Sequence, residues 1–106
     1  LPMPEIARVV ISSPAISSKG LSADNISTQH QVDSLIKRTK EIVVVMDGSK
    51  IGKTDTYITR SARMIRIDIK KRKKYLLLTT GVQDNKMVFE QNILKLQQMG
   101  MEIKIL

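Results

Sequence analysis

One stretch of the sequence, Asp47-Gly48-Ser49-Lys50-Ile51-Gly52, packs an acid, a hydroxyl, a lysine and two glycines into a single turn. Glycines let backbone N–H groups approach an anion closely. A lysine there offers a point charge to a phosphate or carboxylate. The same residues also suit a plain turn with a solvated lysine. The spacing is not that of a P-loop, which needs four residues between its first glycine and the Gly-Lys-Ser/Thr. A second hydroxyl-rich stretch runs from Ser12-Ser13 to Ser17-Ser18-Lys19-Gly20. Its hydroxyls and Lys19 could hydrogen-bond a phosphorylated or polyhydroxy ligand, or simply face solvent.

Other chemistries find little support. His30 is the one histidine and there is no cysteine, so neither a shared metal site nor a Ser-His-Asp triad is expected. For proton transfer the candidate carboxylates are Asp47, Asp24 and Asp55, with Lys50. No catalytic residue, metal or cofactor is assigned from the sequence. The formal net charge is +8, and +7 of it falls between Arg60 and Lys74. That run reads as a solvated segment covering a sheet edge, or as a non-specific contact to nucleic-acid phosphates. The three aromatics, Tyr57, Tyr75 and Phe89, leave almost no platform for stacking bases.

These residues need elements to position them. Ile6 to Ser12 reads as a short buried strand ended by Ser13-Pro14. A helix capped by Ser27 or Thr28 runs to about Lys40, with Val32, Leu35, Ile36 and Thr39 on one face. Ile42 to Met46 is unbroken and β-branched, as expected of a strand covered on both faces. Thr54 to Ile58 reads as a short extended piece. Met64 to Lys70 alternates like a strand, although the basic run could also hold a helical turn. Tyr75 to Thr80 is a buried strand, and Gly81 to Lys86 a loop. Val88 to Met99 is a helix with Phe89, Ile93 and Leu96 inward and Gly100 as its stop, and Met101 to Leu106 is a last strand. Strands alternating with helices predict an α/β domain, a mostly parallel sheet with flanking helices. In such sheets ligands sit beyond the carboxyl ends of the strands. The loops Ser12–Gly20, Asp47–Gly52 and Thr79–Lys86 meet that condition.

The 106 residues fit one domain. No apolar stretch approaches the roughly 18 residues of a membrane span, so no membrane partner is expected. The first residues lack the basic and apolar regions of a signal peptide, and the chain reads as a fragment with a cytoplasmic location.

Taken in order, these residues resemble the carboxyl-terminal part of the effector domain of DeoR family transcriptional repressors. That family shows a strand, a loop ending in Gly-Leu-Thr or Gly-Leu-Ser, a helix, a hydrophobic strand, and then Asp-Ser-Ser-Lys-Phe-Gly. Here stand Gly20-Leu21-Ser22, a helix from about Ser27, the strand Ile42 to Met46, and the hexad from Asp47. Leu78-Thr79-Thr80 occupies the place of the family's Ile-Thr-Asp. The chain departs from the pattern at Ser12-Ser13-Pro14-Ala15, where the family has glycines, and at Thr80, where it has an acid. The family's earlier phosphate-loop strand and DNA-binding head have no counterpart in these residues.

The resemblance implies a Rossmann-like domain related to ribose-5-phosphate isomerase, present in part and used for sensing. It implies a phosphorylated sugar effector, control of DNA binding by a separate N-terminal winged helix-turn-helix, and a homo-oligomer. By position, Lys50 would meet the ligand phosphate, with Ser49 and the Gly48 backbone beside it. Asp47 would orient the loop or meet a sugar hydroxyl. Lys19 and Gly20 belong to the neighbouring loop. A phosphosugar isomerase or deaminase fragment, and a basic nucleic-acid-binding module using residues 60–74, are the alternatives.

Overall fold

Ile42-Val43-Val44-Val45 lies inside a parallel sheet, as its β-branched run predicts, but it is not covered on both faces, since Val45 is exposed. The computed structural model describes residues 5–12 and 15–106. The elements are β1 (Ile6–Ile11), β2 (Ala15–Ser17), β3 (Gly20–Ala23), α1 (Ile26–Lys37), β4 (Thr39–Met46), β5 (Tyr57–Ser61), α2 (Ala62–Lys70), β6 (Lys74–Thr79), α3 (Lys86–Gln98) and β7 (Glu102–Ile105). A 3-10 turn, Gly48–Lys50, follows β4.

Four strands form an all-parallel sheet in the order β1-β4-β6-β7. Val44 pairs with Ile11 on one side and Leu77 on the other, so β4 is hydrogen-bonded along both edges. Each parallel step needs a crossover, and helices supply them. This is a Rossmann-like α/β fold, as the alternation of elements predicts. The core takes Ile11, Ile42, Val44, Met46, Tyr75 and Leu77 from one face of the sheet. All three helices pack on it, through Ile36, Ile65, and the trio Phe89, Ile93 and Leu96. On the other face Val10 and Val45 are exposed.

Four expectations are corrected. The Ser12–Gly20 stretch is not one open loop: β2 and β3 form a hairpin, with Ser18 and Lys19 at its turn. Together with β5 they make a separate antiparallel sheet, β2-β3-β5. Met64–Lys70 is not extended but lies in α2. The extended segment placed at Thr54–Ile58 is displaced to Tyr57–Ser61. The cap of α1 is Asn25, whose side chain accepts from the Thr28 N–H at 2.8 Å, rather than Ser27 or Thr28. The expectations at Leu1–Pro4 and Ser13-Pro14 fall outside the described residues.

A buried polar network fastens α2 to the rest. Arg60, 6% exposed, donates from Nε and Nη2 to the two carboxylate oxygens of Asp68 at 3.0 and 2.8 Å. Its Nη1 donates to Asp33 on α1 at 2.9 Å. Tyr75 on β6 donates its hydroxyl to the same Asp68. Asp68 holds the Arg60 proton more tightly, and burial followed by the bond to Asp68 pushes the Tyr75 phenol upward. Four elements therefore meet at one fully paired charge cluster.

Helices α2 and α3 stop in the same way. After α3, the Gly100 N–H bonds the Gln97 carbonyl at 2.9 Å and the Met101 N–H bonds that of Leu96 at 3.3 Å. After α2, the Arg72 N–H bonds Ile69 at 3.0 Å and the Lys73 N–H bonds Asp68 at 2.9 Å. Both are Schellman stops, which place one residue in the left-handed region. Gly100 takes it at φ +103°, and Arg72 takes it at φ +72°.

Candidate functional site

The carboxyl ends of β4 and β6 lie side by side, because Met46 pairs with Thr79. The chain leaves β4 through the 3-10 turn and β6 through residues 80–85 before α3 begins. Between these two loops and the first turns of α3 lies a cavity of about 580 Å³. Asp47, Gly48, Ser49, Ile51, Gly52 and Lys53 line one wall. Residues 81–85 line the other, with Val88, Phe89 and Asn92 of α3.

The two loops are pinned together by Thr80. Its hydroxyl donates to Asp47 Oδ1 at 2.8 Å, and the Thr80 Oγ1 itself accepts the Gly48 N–H at 3.0 Å. Ser49 donates to the other Asp47 oxygen at 2.6 Å. Bonds from Ser49 and Thr80 hold the Asp47 carboxyl below the usual carboxylate range. Asp47 is therefore a fixed, ionised acceptor at the rim. Gly48 is required by space, since a Cβ there would stand 2.4 Å from the Thr80 carbonyl oxygen and 2.9 Å from a Val82 methyl. Gly52, at φ +89°, lies against the Asn92 side chain, and its N–H bonds the Ile16 carbonyl at 2.7 Å. That bond ties the turn to β2.

The sequence-derived candidates divide. Asp47, Gly48 and Ser49 come together on the cavity wall. Lys50 is exposed at the end of the 3-10 turn and is not among the lining residues, whereas Lys53 is. Lys19 and Gly20 lie at the β2–β3 turn, also away from the lining. Gly20 has a structural reason for its identity: at φ +116°, a Cβ would fall 2.1 Å from the Arg60 carbonyl oxygen. His30 lies in a separate groove on α1 with Gln31 and Ser34. Among the described residues, no group of acids and histidines is placed to hold a metal.

Thr80, Lys53, Asn85 and Asn92 are the site residues that sequence reasoning missed. Thr80 could have been flagged by its place directly after a buried strand. The α3 residues had no local signal beyond lying next to a loop at a strand end. The cavity can take a ligand with both hydroxyl and anionic groups: Asp47 and Asp84 accept, Asn92 and Gln83 serve either way, and Lys53 supplies positive charge. No protein-family model, no curated protein and no solved structure matches this chain.

Proposed function

We propose that this chain is a ligand-sensing domain of a DeoR-type transcriptional regulator, and that the cavity between the 47–53 loop and residues 80–85 receives a phosphorylated sugar or related metabolite. The observation that carries this reading is the cavity itself. It opens at the carboxyl ends of two central parallel strands, where open α/β sheets bind ligands. Its wall is built from the Asp47 loop that carries the family resemblance. Asp47 takes ligand hydroxyls, the Gly48 backbone and Ser49 border the phosphate, and Lys53, with Lys50 on the same loop, supplies the charge. The domain acts by binding rather than by catalysis, works in the cytoplasm as a homo-oligomer, and passes its state to a DNA-binding head outside these residues. A ligand shifts such a regulator only by its differential affinity for two states.

A thermal-shift screen of the protein against sugar phosphates tests this. A ligand at about 100 times its Kd adds about 2.7 kcal/mol of stability. The Lys50→Ala/Lys53→Ala double variant is expected to lose the shift, and the single variants apportion it. No shift with any phosphosugar, or an undiminished shift in the double variant, overturns the reading.

A further inference from the structure

At the amino ends of β4 and β6, opposite the cavity, lies a second cleft of about 550 Å³. Six of its lining residues are cations: Lys37, Arg38, Lys40, Lys71, Arg72 and Lys73. Among the described residues Glu5 is its one acid, and no aromatic residue lines it. Right-handed crossovers explain part of this. Both α1 and α2 end here, and cations suit helix carboxyl termini. Lys73 serves that role, donating to the Ile36 and Lys37 carbonyls at 2.6 and 3.2 Å. Lys37 pairs with Asp33 at 3.2 Å, and Lys40 with Glu5 at 3.5 Å.

The remainder is not explained by folding. Two helix ends offset about half a charge each. With Glu5 and Asp33 counted, an excess of about three positive charges stays in the cleft. Arg38, Lys71 and Arg72 have no ion-pair partner among the described residues. Arg38 Nε is buried without a hydrogen-bond partner there. Arg72 is the sharper sign. It occupies the left-handed position that Gly100 fills in the matching stop of α3. A non-glycine residue there costs about 1 kcal/mol. An arginine therefore stands where the matching stop has glycine, in a cleft that holds unpaired positive charge. Helix α2, which leads into this turn, exposes Arg63, Arg66 and Lys70 at helical spacing, about 10 Å from first to last.

We propose that this cleft, centred on Arg38, Lys71 and Arg72, binds the phosphate backbone of double-stranded nucleic acid without reading its sequence. A line of cations extending from the cleft along α2 fits a repeating polyanion better than a compact one. The lack of aromatic side chains removes the stacking that single strands use. The site is separate from the cavity and does not depend on the sugar-phosphate reading.

Fluorescence anisotropy of a labelled duplex of about 20 base pairs and arbitrary sequence, titrated with the 106-residue chain, tests the proposal. Three neutralised phosphates give an affinity that falls about 40-fold between about 50 and 200 mM salt. Lys71→Ala/Arg72→Gly is expected to lower the logarithmic salt slope by about 2. The glycine relieves the left-handed strain, so this variant keeps its fold, which circular dichroism verifies. Lys95→Ala/Lys104→Ala removes the same charge elsewhere and is expected to leave the slope unchanged. Absence of duplex binding at the lower salt overturns the proposal. So does an equal loss in both double variants, or binding of inorganic triphosphate without binding of duplex.

Discussion

At the carboxyl ends of β4 and β6 the chain lines its cavity with Asp47 and Asp84 against Lys53. At the amino ends of the same two strands it gathers six cations against Glu5. The first end is tightly built. Gly48 admits the Thr80 carbonyl, and Thr80 locks Asp47 from across the gap. The second end leaves charge unpaired and one backbone residue in a disfavoured conformation. Strain and unpaired groups concentrate at sites of function. The comparison thus separates a preformed acceptor-rich cavity from a cationic surface, on one sheet and less than ten residues of strand apart.

The Arg60–Asp68 network joins β5 and α2 to α1 and β6, so it ties together the helices whose ends form the cleft and one of the two strands that lead to the cavity. Breaking it should have the largest effect. Asp68→Ala leaves the buried guanidinium with Asp33 alone and strips the Tyr75 hydroxyl of its acceptor. Removing one partner of a buried ion pair costs about 3–5 kcal/mol. Urea denaturation should show that loss, with both the cavity and the basic cleft compromised together. A variant of near wild-type stability would show that the two ends are positioned independently of this network.

How much of this was legible depends on where each element keeps its information. Strand β4, the turn after it and the Gly100 stop of α3 are local, so Ile42–Met46, Asp47–Gly52 and Phe89/Ile93/Leu96 could be read directly. Helix α2 could not. Its inward positions are Ile65 and Asp68, one of them a charge, while the apolar residues at 65, 67 and 69 alternate like a strand. Burial of Asp68 is sensible only once Arg60 and Tyr75 arrive from other elements. The hairpin β2–β3 is hidden for a similar reason. Its buried Ser17 and Ser22 are satisfied by Thr54 and the Asp55 N–H, more than thirty residues away. In the cavity, the partnership of Asp47 with Thr80 is also non-local. Read alone, Thr80 is one hydroxyl at a strand end; it becomes the pin of the site once the two loops are adjacent.

Gly48→Ala sharpens the carboxyl end of the comparison. The added methyl meets first the Thr80 backbone carbonyl on the neighbouring loop, which cannot swing aside as a side chain can. Overpacking of this kind costs about 1–3 kcal/mol. Any ligand-induced thermal shift should vanish, while duplex binding at the other end should persist. Loss of both activities in a folded variant would break the separation of the two sites.

The two helix stops give a smaller and reciprocal effect. Arg72→Gly should stabilise the protein by up to about 0.5 kcal/mol, the left-handed relief of about 1 kcal/mol less the extra chain entropy of glycine. Gly100→Ala should destabilise it by about 1 kcal/mol or more, because φ is +103° and the new Cβ would crowd Ile69 at 3.1 Å. Thermal denaturation measures both. A destabilised Arg72→Gly would mean that the Arg72 side chain contributes to folding, which would remove one support for the nucleic-acid site.

The gentlest test acts on a single proton. Ser49 and Thr80 lower the Asp47 carboxyl by hydrogen-bonding its ionised form. A carboxyl depressed in the folded state contributes stability above its unfolded pKa and loses it as pH falls through the folded value. Thr80→Val keeps the shape of the side chain but deletes the donor to Asp47 and the acceptor for the Gly48 N–H. The Asp47 midpoint, followed by carboxyl-carbon NMR, should rise toward the ordinary carboxylate range. The acid-side stability tied to this group should shrink with it. Thr80 sits on the β6 side of the cavity and Asp47 on the β4 side, so the shift reads out whether the two loops are joined in solution. An unchanged midpoint would mean that they are not, and the cavity would lose its fixed acceptor while the basic cleft at the other end of the sheet stayed intact.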